Sequence, residues 1–289
     1  MLRRAPFRPS IPQCAALATL LEVTASKPGN VHRGADFEDM TYLDFALSSL
    51  VAASAYSAEK KVGAMVLDNV RATRECVGRN TNLGTILLLA PLVAAPVDVP
   101  ISQGVRDVLA KLDSEDARLV YEAIRLANPG GLGNVDECDV SKPPPGDLVA
   151  AMRLAADRDM VARQYANGFA DVLGAITPWL AEGIALGWPL SATIVRTHLR
   201  TMAQWHDSLI ARKCGMGVAQ LSAKMAGEVL SAGSPGEEDY ERALGDLDFW
   251  LRADGHRRNP GTTADLIAAG LFVALREGII EFPLHFYSA

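Results

Sequence analysis

The sequence predicts an all-α fold, a single-domain multi-helix bundle whose active-site cleft is formed by the loops between helices. Three observations carry that expectation. Between the glycine and proline clusters, nearly every segment repeats its apolar residues at helical rather than alternating spacing. Within those segments alanine and leucine far outnumber β-branched residues, which favours helix and lets helices approach closely. With 49% hydrophobic residues in 289, the chain has enough apolar side chain for a sizeable core.

Residues 1–10 read as a loose arm. Met1-Leu2-Arg3-Arg4 has the charge of a signal segment, but Pro6, Pro9 and Pro12 interrupt it, and the apolar run from Ala15 to Leu21 ends at Glu22. The first helix is expected over about 12–25. After a polar excursion come helices over about 40–57 and 60–77, the second stopped by Gly78. Asn80 or Thr81 caps the next, a strongly apolar helix over about 83–95. The apolar stretch Ile86 to Val97 is too short to span a bilayer and holds Pro91 and Pro96, so no membrane span is expected. Helices over about 102–112 and 115–127 lead to the linker-like piece Asn128 to Gly146, with Gly130-Gly131 and Pro143-Pro144-Pro145. Helices of similar character flank it, so it reads as a long functional loop inside one domain spanning 1–289. Further helices follow over about 147–186, broken near Asp157, then 191–205, 216–232, 237–253 and 263–277. The last starts where Pro260-Gly261 break the chain and Thr262 or Thr263 can cap.

Composition narrows the function. A net charge of −6 with 21% charged residues gives no global basic field, so a nucleic-acid partner is not expected and a polyanionic small molecule must be met by local clusters. Cys14, Cys76, Cys138 and Cys214 lie far apart with no Cys-x-x-Cys pair, which speaks against a zinc knuckle or redox dithiol and fits a reduced, cytoplasmic setting.

Four polar loops hold the candidate chemistry. Arg257-Arg258-Asn259-Pro260-Gly261-Thr262-Thr263-Ala264-Asp265 joins two cations, a turn and a helix start. A helix N-terminus presents unpaired N–H groups and a positive dipole end, so this segment suits a phosphate, although an ordinary capped helix beside a solvated basic turn has the same sequence. Residues 22–39 bring Glu22, Lys27, His32, Arg33, Asp36 and Asp39 into one excursion, in which Lys27-Pro28-Gly29 holds Lys27 at a defined corner. Gly78 to Gly84 offers Asn80, Thr81 and Asn82 as caps or as sugar and base contacts. In Asp207 to Gly215, Arg212 and Lys213 pair a planar bidentate donor with a compact cation, a combination suited to a polyphosphate or to a plain surface. Asp207 there can cap a helix or hold the magnesium ion that a triphosphate brings. His198 and His206 stand eight apart, not at the helical spacing of a zinc pair, and read as structural or incidental. Asn128-Pro129-Gly130-Gly131-Leu132-Gly133 follows no strand and precedes no Lys-Ser/Thr, so it is neither a P-loop nor a dinucleotide fingerprint.

Taken in order, these segments resemble the triphosphoribosyl-dephospho-CoA synthase family. The resemblance rests on Glu22-Val23-Thr24 running into Lys27-Pro28-Gly29-Asn30-Val31, on Asp39-Met40, on Asn80-Thr81 with Gly84, on Asp207-Ser208-Leu209-Ile210 with Arg212 and Gly215, and on Pro260-Gly261 with Ala264-Asp265-Leu266. It implies an all-helical fold and transfer of the 5-triphosphoribosyl group of ATP to the 2′-hydroxyl of 3′-dephospho-CoA, with adenine released. The chain departs from the family's usual pattern at His32, at Asn82-Leu83 and at Gly130-Gly131-Leu132-Gly133, as in a divergent branch, which leaves the acceptor open.

Displacement of adenine passes through a cation-like sugar, so the reaction needs a carboxylate near the ribose and neutralisation of the triphosphate. The expected catalytic residues are therefore Glu22 and Asp39. Lys27, Arg212, Lys213, Arg258 and Gly261 are expected to meet phosphates, Asn80 and Thr81 the sugar, and Asp207 and Asp265 magnesium. The alternatives are transfer to another cofactor precursor, a metal-dependent ADP-ribose-type glycohydrolase, and a helical scaffold without turnover. The oligomeric state is left open, a homodimer included.

Overall fold

A computed structural model describes residues 7–128, 144 and 146–287. Fourteen helices form among them: α1 (Ile11–Thr24), α2 (Tyr42–Ala55), α3 (Val62–Val77), α4 (Leu83–Ala94), α5 (Ile101–Ala110), α6 (Ser114–Ala127), α7 (Leu148–Ala155), α8 (Met160–Asn167), α9 (Thr177–Ala185), α10 (Leu190–Gln204), α11 (Ser208–Cys214), α12 (Met216–Ala232), α13 (Glu238–Arg252) and α14 (Gly261–Arg276). A π-helical turn, Val172–Ile176, precedes α9, and a short extended segment, Ala253–His256, follows α13. The all-helical expectation holds. Most of the expected N-terminal arm and the Gly130-Gly131-Leu132-Gly133 loop lie outside the described residues.

α14 is the centre. Every residue from Leu266 to Leu275 is buried, as an all-round apolar helix requires, and α1, α4, α8, α9, α10, α11 and the π-helical turn pack around it. α4 is more apolar still and carries Pro91 in its interior. A proline there supplies no N–H for the carbonyl four residues earlier, that of Leu87. The buried Tyr165 hydroxyl of α8 donates to that carbonyl at 2.7 Å and so satisfies it.

Several boundaries differ from the expectation for identifiable reasons. The long segment 147–186 is cut into α7, α8, the π-helical turn and α9, because Asp159 Oδ1 accepts from Val161 N (2.9 Å) and Ala162 N (3.1 Å) to start α8, and Gly168 closes it in the left-handed region at φ 67°. Residues 208–214, expected as loop, form α11 on the N-cap Asp207. Thr262 and Thr263 do not cap α14. They lie inside its first turn, and the carboxylate that serves that turn is again Asp207.

Candidate active site

The four polar loops converge. Residues from segments 30–40, 80–85, 204–216 and 256–265, with α1, α6 and the α7–α8 region, line a single cleft of about 920 Å³. That is near the upper end of the roughly 300–1,000 Å³ of ordinary small-molecule sites.

Its floor is built from helix starts tied to one another by side chains. Asp207 sits at the start of α11, fully buried. Its Oδ1 accepts from Leu209 N (2.8 Å) and Ile210 N (3.0 Å), and its Oδ2 accepts from Thr263 N (2.7 Å) and the Thr263 hydroxyl (2.8 Å). One carboxylate thus caps α11 and fills the N-terminus of α14, the place where the sequence suggested a phosphate. Burial pushes its pKa up, and these donors pull it back. Asp207 does not line the cleft, and with both oxygens engaged it does not fit the expected magnesium role.

Asp265, on the second turn of α14, is half-buried and lines the cleft. The Thr85 hydroxyl at the start of α4 donates to its Oδ1 at 2.7 Å. Its other oxygen lies against Gly84, where a Cβ would fall 2.0 Å from Oδ2, so only glycine admits this approach. Burial raises the Asp265 pKa to about 8; hydrogen bonding from Thr85 opposes the shift, and the charges of Glu22 and Asp207 add to it.

Glu22, near the end of α1, lines the same floor and is buried. Lys27 explains how a carboxylate is kept there. Its side chain has no exposed surface, and its ammonium lies 2.9 Å from Glu22 Oε1 while donating to the carbonyls of Glu22 and Ala25. Burial raises the Glu22 pKa and the Lys27 charge pulls it down. Expected as a phosphate ligand, Lys27 instead points inward and is absent from the cleft wall. The Lys-Pro-Gly turn does hold it at a corner: Gly29, at φ 73°, donates to Asp248 Oδ1 at 2.7 Å, and Asp248 in turn binds Arg252, whose guanidinium donates to the Asn30 carbonyl at 2.6 Å.

The family model of the ATP:dephospho-CoA triphosphoribosyl transferases matches residues 8–282. The chain belongs to this family. A crystal structure from Archaeoglobus fulgidus, of a protein put forward as a triphosphoribosyl-dephospho-CoA synthase, superposes with a TM-score of 0.61 at 26% identity, covering 80% of this chain and 98% of that one. No curated protein matches in sequence.

In this transferase the remaining expected residues divide. Asp39 lines the cleft as an exposed carboxylate 3.6 Å from His256 Nδ1, and His256 stacks on Phe37 with ring centroids 5.2 Å apart. Asn80 and Thr81 line it too, Asn80 Oδ1 accepting from Leu83 N (3.1 Å) and the Thr81 hydroxyl meeting Ser48 Oγ (2.7 Å). Gly261 lies on the wall against Leu209. Arg212 and Lys213 both reach the cleft. Arg212 is held by Asp159 at 3.1 Å, and Lys213, half-buried, has its pKa lowered by burial and by Arg212. Arg258 does not line the cleft: its guanidinium lies over Trp250, 4.5 Å from the ring centroid, and donates to the Trp250 carbonyl at 2.9 Å. His32 does not line it either. Its Nδ1 accepts from Gly34 N at 3.1 Å, and burial with the Arg252 and Lys27 charges lowers its pKa to about 4. At the departures Asn82 and Leu83, both buried, the side chains face the cleft.

One wall of the cleft, formed by Arg158, Asp159 and Arg163 with Trp205 and His206, lies outside the expected site residues. The signal was present in Asp157-Arg158-Asp159, three charges at an expected helix break, but its partner Arg212 is 53 residues away. His206, taken as incidental, is part of this wall, whereas His198 is wholly buried with neither ring nitrogen hydrogen-bonded. Among the described residues no three His, Cys, Asp or Glu side chains gather as a ready-made metal cluster, and no helix is long and apolar enough to cross a membrane.

Proposed function

We propose that the chain works as one cytoplasmic unit that moves the 5-triphosphoribosyl group of ATP to the 2′-hydroxyl of 3′-dephospho-CoA and releases adenine. The observation that carries this reading is the pairing, in one cleft, of a carboxylate floor (Glu22, Asp265) with a cationic wall (Arg212, Lys213), in a chain matched by the transferase family over nearly its whole length.

Glu22, held in place by Lys27, lies under the ribose and steadies positive charge at C1 as the bond to the adenine nitrogen breaks. Asp39, beside His256, takes the proton of the acceptor hydroxyl as its oxygen bonds to C1. Adenine leaves with the bonding electron pair and is protonated on release. Arg212 and Lys213 hold the triphosphate, and Asn80 and Thr81 orient the sugar. Asp265 is the expected metal ligand that fits magnesium, because it lines the cleft, and magnesium is commonly held by one or two carboxylates plus substrate phosphates. Bound there with ATP, the ion would neutralise triphosphate charge.

The test is mass spectrometry after incubation with ATP, magnesium and dephospho-CoA. The expected product is dephospho-CoA heavier by one triphosphoribosyl group. An unmodified acceptor alongside free ribose triphosphate would replace this reading with the glycohydrolase.

A further inference from the structure

One sector of the cleft has no part in the donor chemistry above. α6 contributes Tyr121 and Ile124, three residues apart, and α7 contributes Leu148, Ala151, Met152 and Ala155, so each helix turns one apolar face to the cleft. None of these six side chains is charged. The apolar face stops where α7 stops, and in the turn that follows Arg158 stands exposed on the cleft, paired with no carboxylate among the described residues. The turn is fixed against α11, since Asp159 Oδ2 accepts from Arg212 Nη1 at 3.1 Å and Met160 N donates to Ser208 Oγ at 3.2 Å. The sector therefore runs from a cation beside the phosphate-binding wall into a trough that is uncharged among the described residues.

That order of chemistry matches one substrate and not the other. ATP ends in charge beyond its ribose, whereas a CoA-like acceptor carries a diphosphate and then a long uncharged chain. We propose that the α6–α7 face is the arm site of the acceptor and that Arg158 binds its diphosphate. The proposal rests on the reading of the acceptor as a CoA-like nucleotide. It makes Met152 and Arg158 specificity residues for the acceptor alone.

Calorimetric titration of the full chain with dephospho-CoA, 4′-phosphopantetheine and ATP in turn tests it. Met152→Glu, which puts a charge in the trough, and Arg158→Ala should each weaken dephospho-CoA and 4′-phosphopantetheine about tenfold or more, while ATP changes less than about twofold. Met152→Leu should bind all three like the unaltered protein. If Met152→Glu loses its helical spectrum, Ala155→Asp takes its place. Equal weakening of ATP, unchanged acceptor binding in both charge variants, or failure of the unaltered chain to bind 4′-phosphopantetheine would each overturn the arm site. Acceptor binding of the expected pattern without any adenine release would instead overturn the transfer reading and leave the arm site standing.

Discussion

Asp207 and Asp265 both act on a helix start and both read from the sequence as metal ligands, yet the structure gives them opposite situations: Asp207 is buried, and Asp265 is half-buried on the cleft. Asp207 has every oxygen engaged by α11 and α14 and lies behind the cleft wall. Asp265 lines the cleft, with Oδ1 on the Thr85 hydroxyl and Oδ2 against Gly84, and its pKa is raised by burial to about 8. Residue type says that a carboxylate can bind a cation. Whether it has an oxygen left to do so depends on donors far away in sequence, and here those donors separate a structural residue from a candidate functional one.

The comparison is broken most directly by removing each carboxylate. Asp207→Ala should cost roughly 3–4 kcal/mol of stability, since it uncaps one helix and leaves buried N–H and hydroxyl donors unpaired. Denaturant unfolding measures this, and a loss below about 1 kcal/mol would mean that other groups or water serve both helix starts. Asp265→Asn should do the reverse. It resembles the protonated acid that burial favours, so the midpoint of unfolding should barely move, while kcat for adenine release falls about a hundredfold, or roughly 2.7 kcal/mol. Matched losses of stability in the two variants would erase the distinction drawn here.

Gly84→Ala sharpens the same contrast. Its Cβ would lie 2.0 Å from Asp265 Oδ2, so α4 and α14 must shift or the carboxylate must turn, at a cost of about 1–3 kcal/mol. Activity should fall further than stability accounts for, and Asp265→Asn in that background should add little.

The smallest effect expected concerns pH. His198 is buried with no hydrogen bond to either nitrogen, and burial, with the Lys27 charge behind it, holds its pKa well below the ordinary value. Its folded pKa lies below the unfolded one, so the unfolded chain takes the proton more readily, and stability falls as pH drops below about 6.5. His32, lowered to about 4, acts in the same direction. His198→Leu should therefore raise stability more at pH 5 than at pH 8. An equal change at both values would mean that His198 is not held neutral.

Much of this was legible in the sequence because it is local. Helical periodicity and alanine-rich segments gave the fold class, and Gly78 ends α3 as expected; at α4 the N-cap position falls on Asn82 rather than on Asn80 or Thr81, though Asn80 Oδ1 accepts from Leu83 N. Convergence of the loops on one cleft followed from their polarity between buried helices. Direction was not legible. Nothing local to Lys27 says that its ammonium turns inward onto Glu22, and nothing local to Arg258 says that it stacks on Trp250. The wall at Arg158 and Asp159 needed the long-range bond to Arg212 before its charges had a place.

A carboxylate held by Lys27 is proposed to support displacement of adenine by an acceptor hydroxyl. This is tested most directly by chromatography of the nucleotide after reaction with and without dephospho-CoA, in the unaltered chain and in Glu22→Gln. Adenine, without ADP or AMP, should form only when the acceptor is present, with at least about a hundredfold less of it in Glu22→Gln while ATP still binds. Adenine formed equally well without acceptor, ADP or AMP as the main product, or full activity in Glu22→Gln would contradict it.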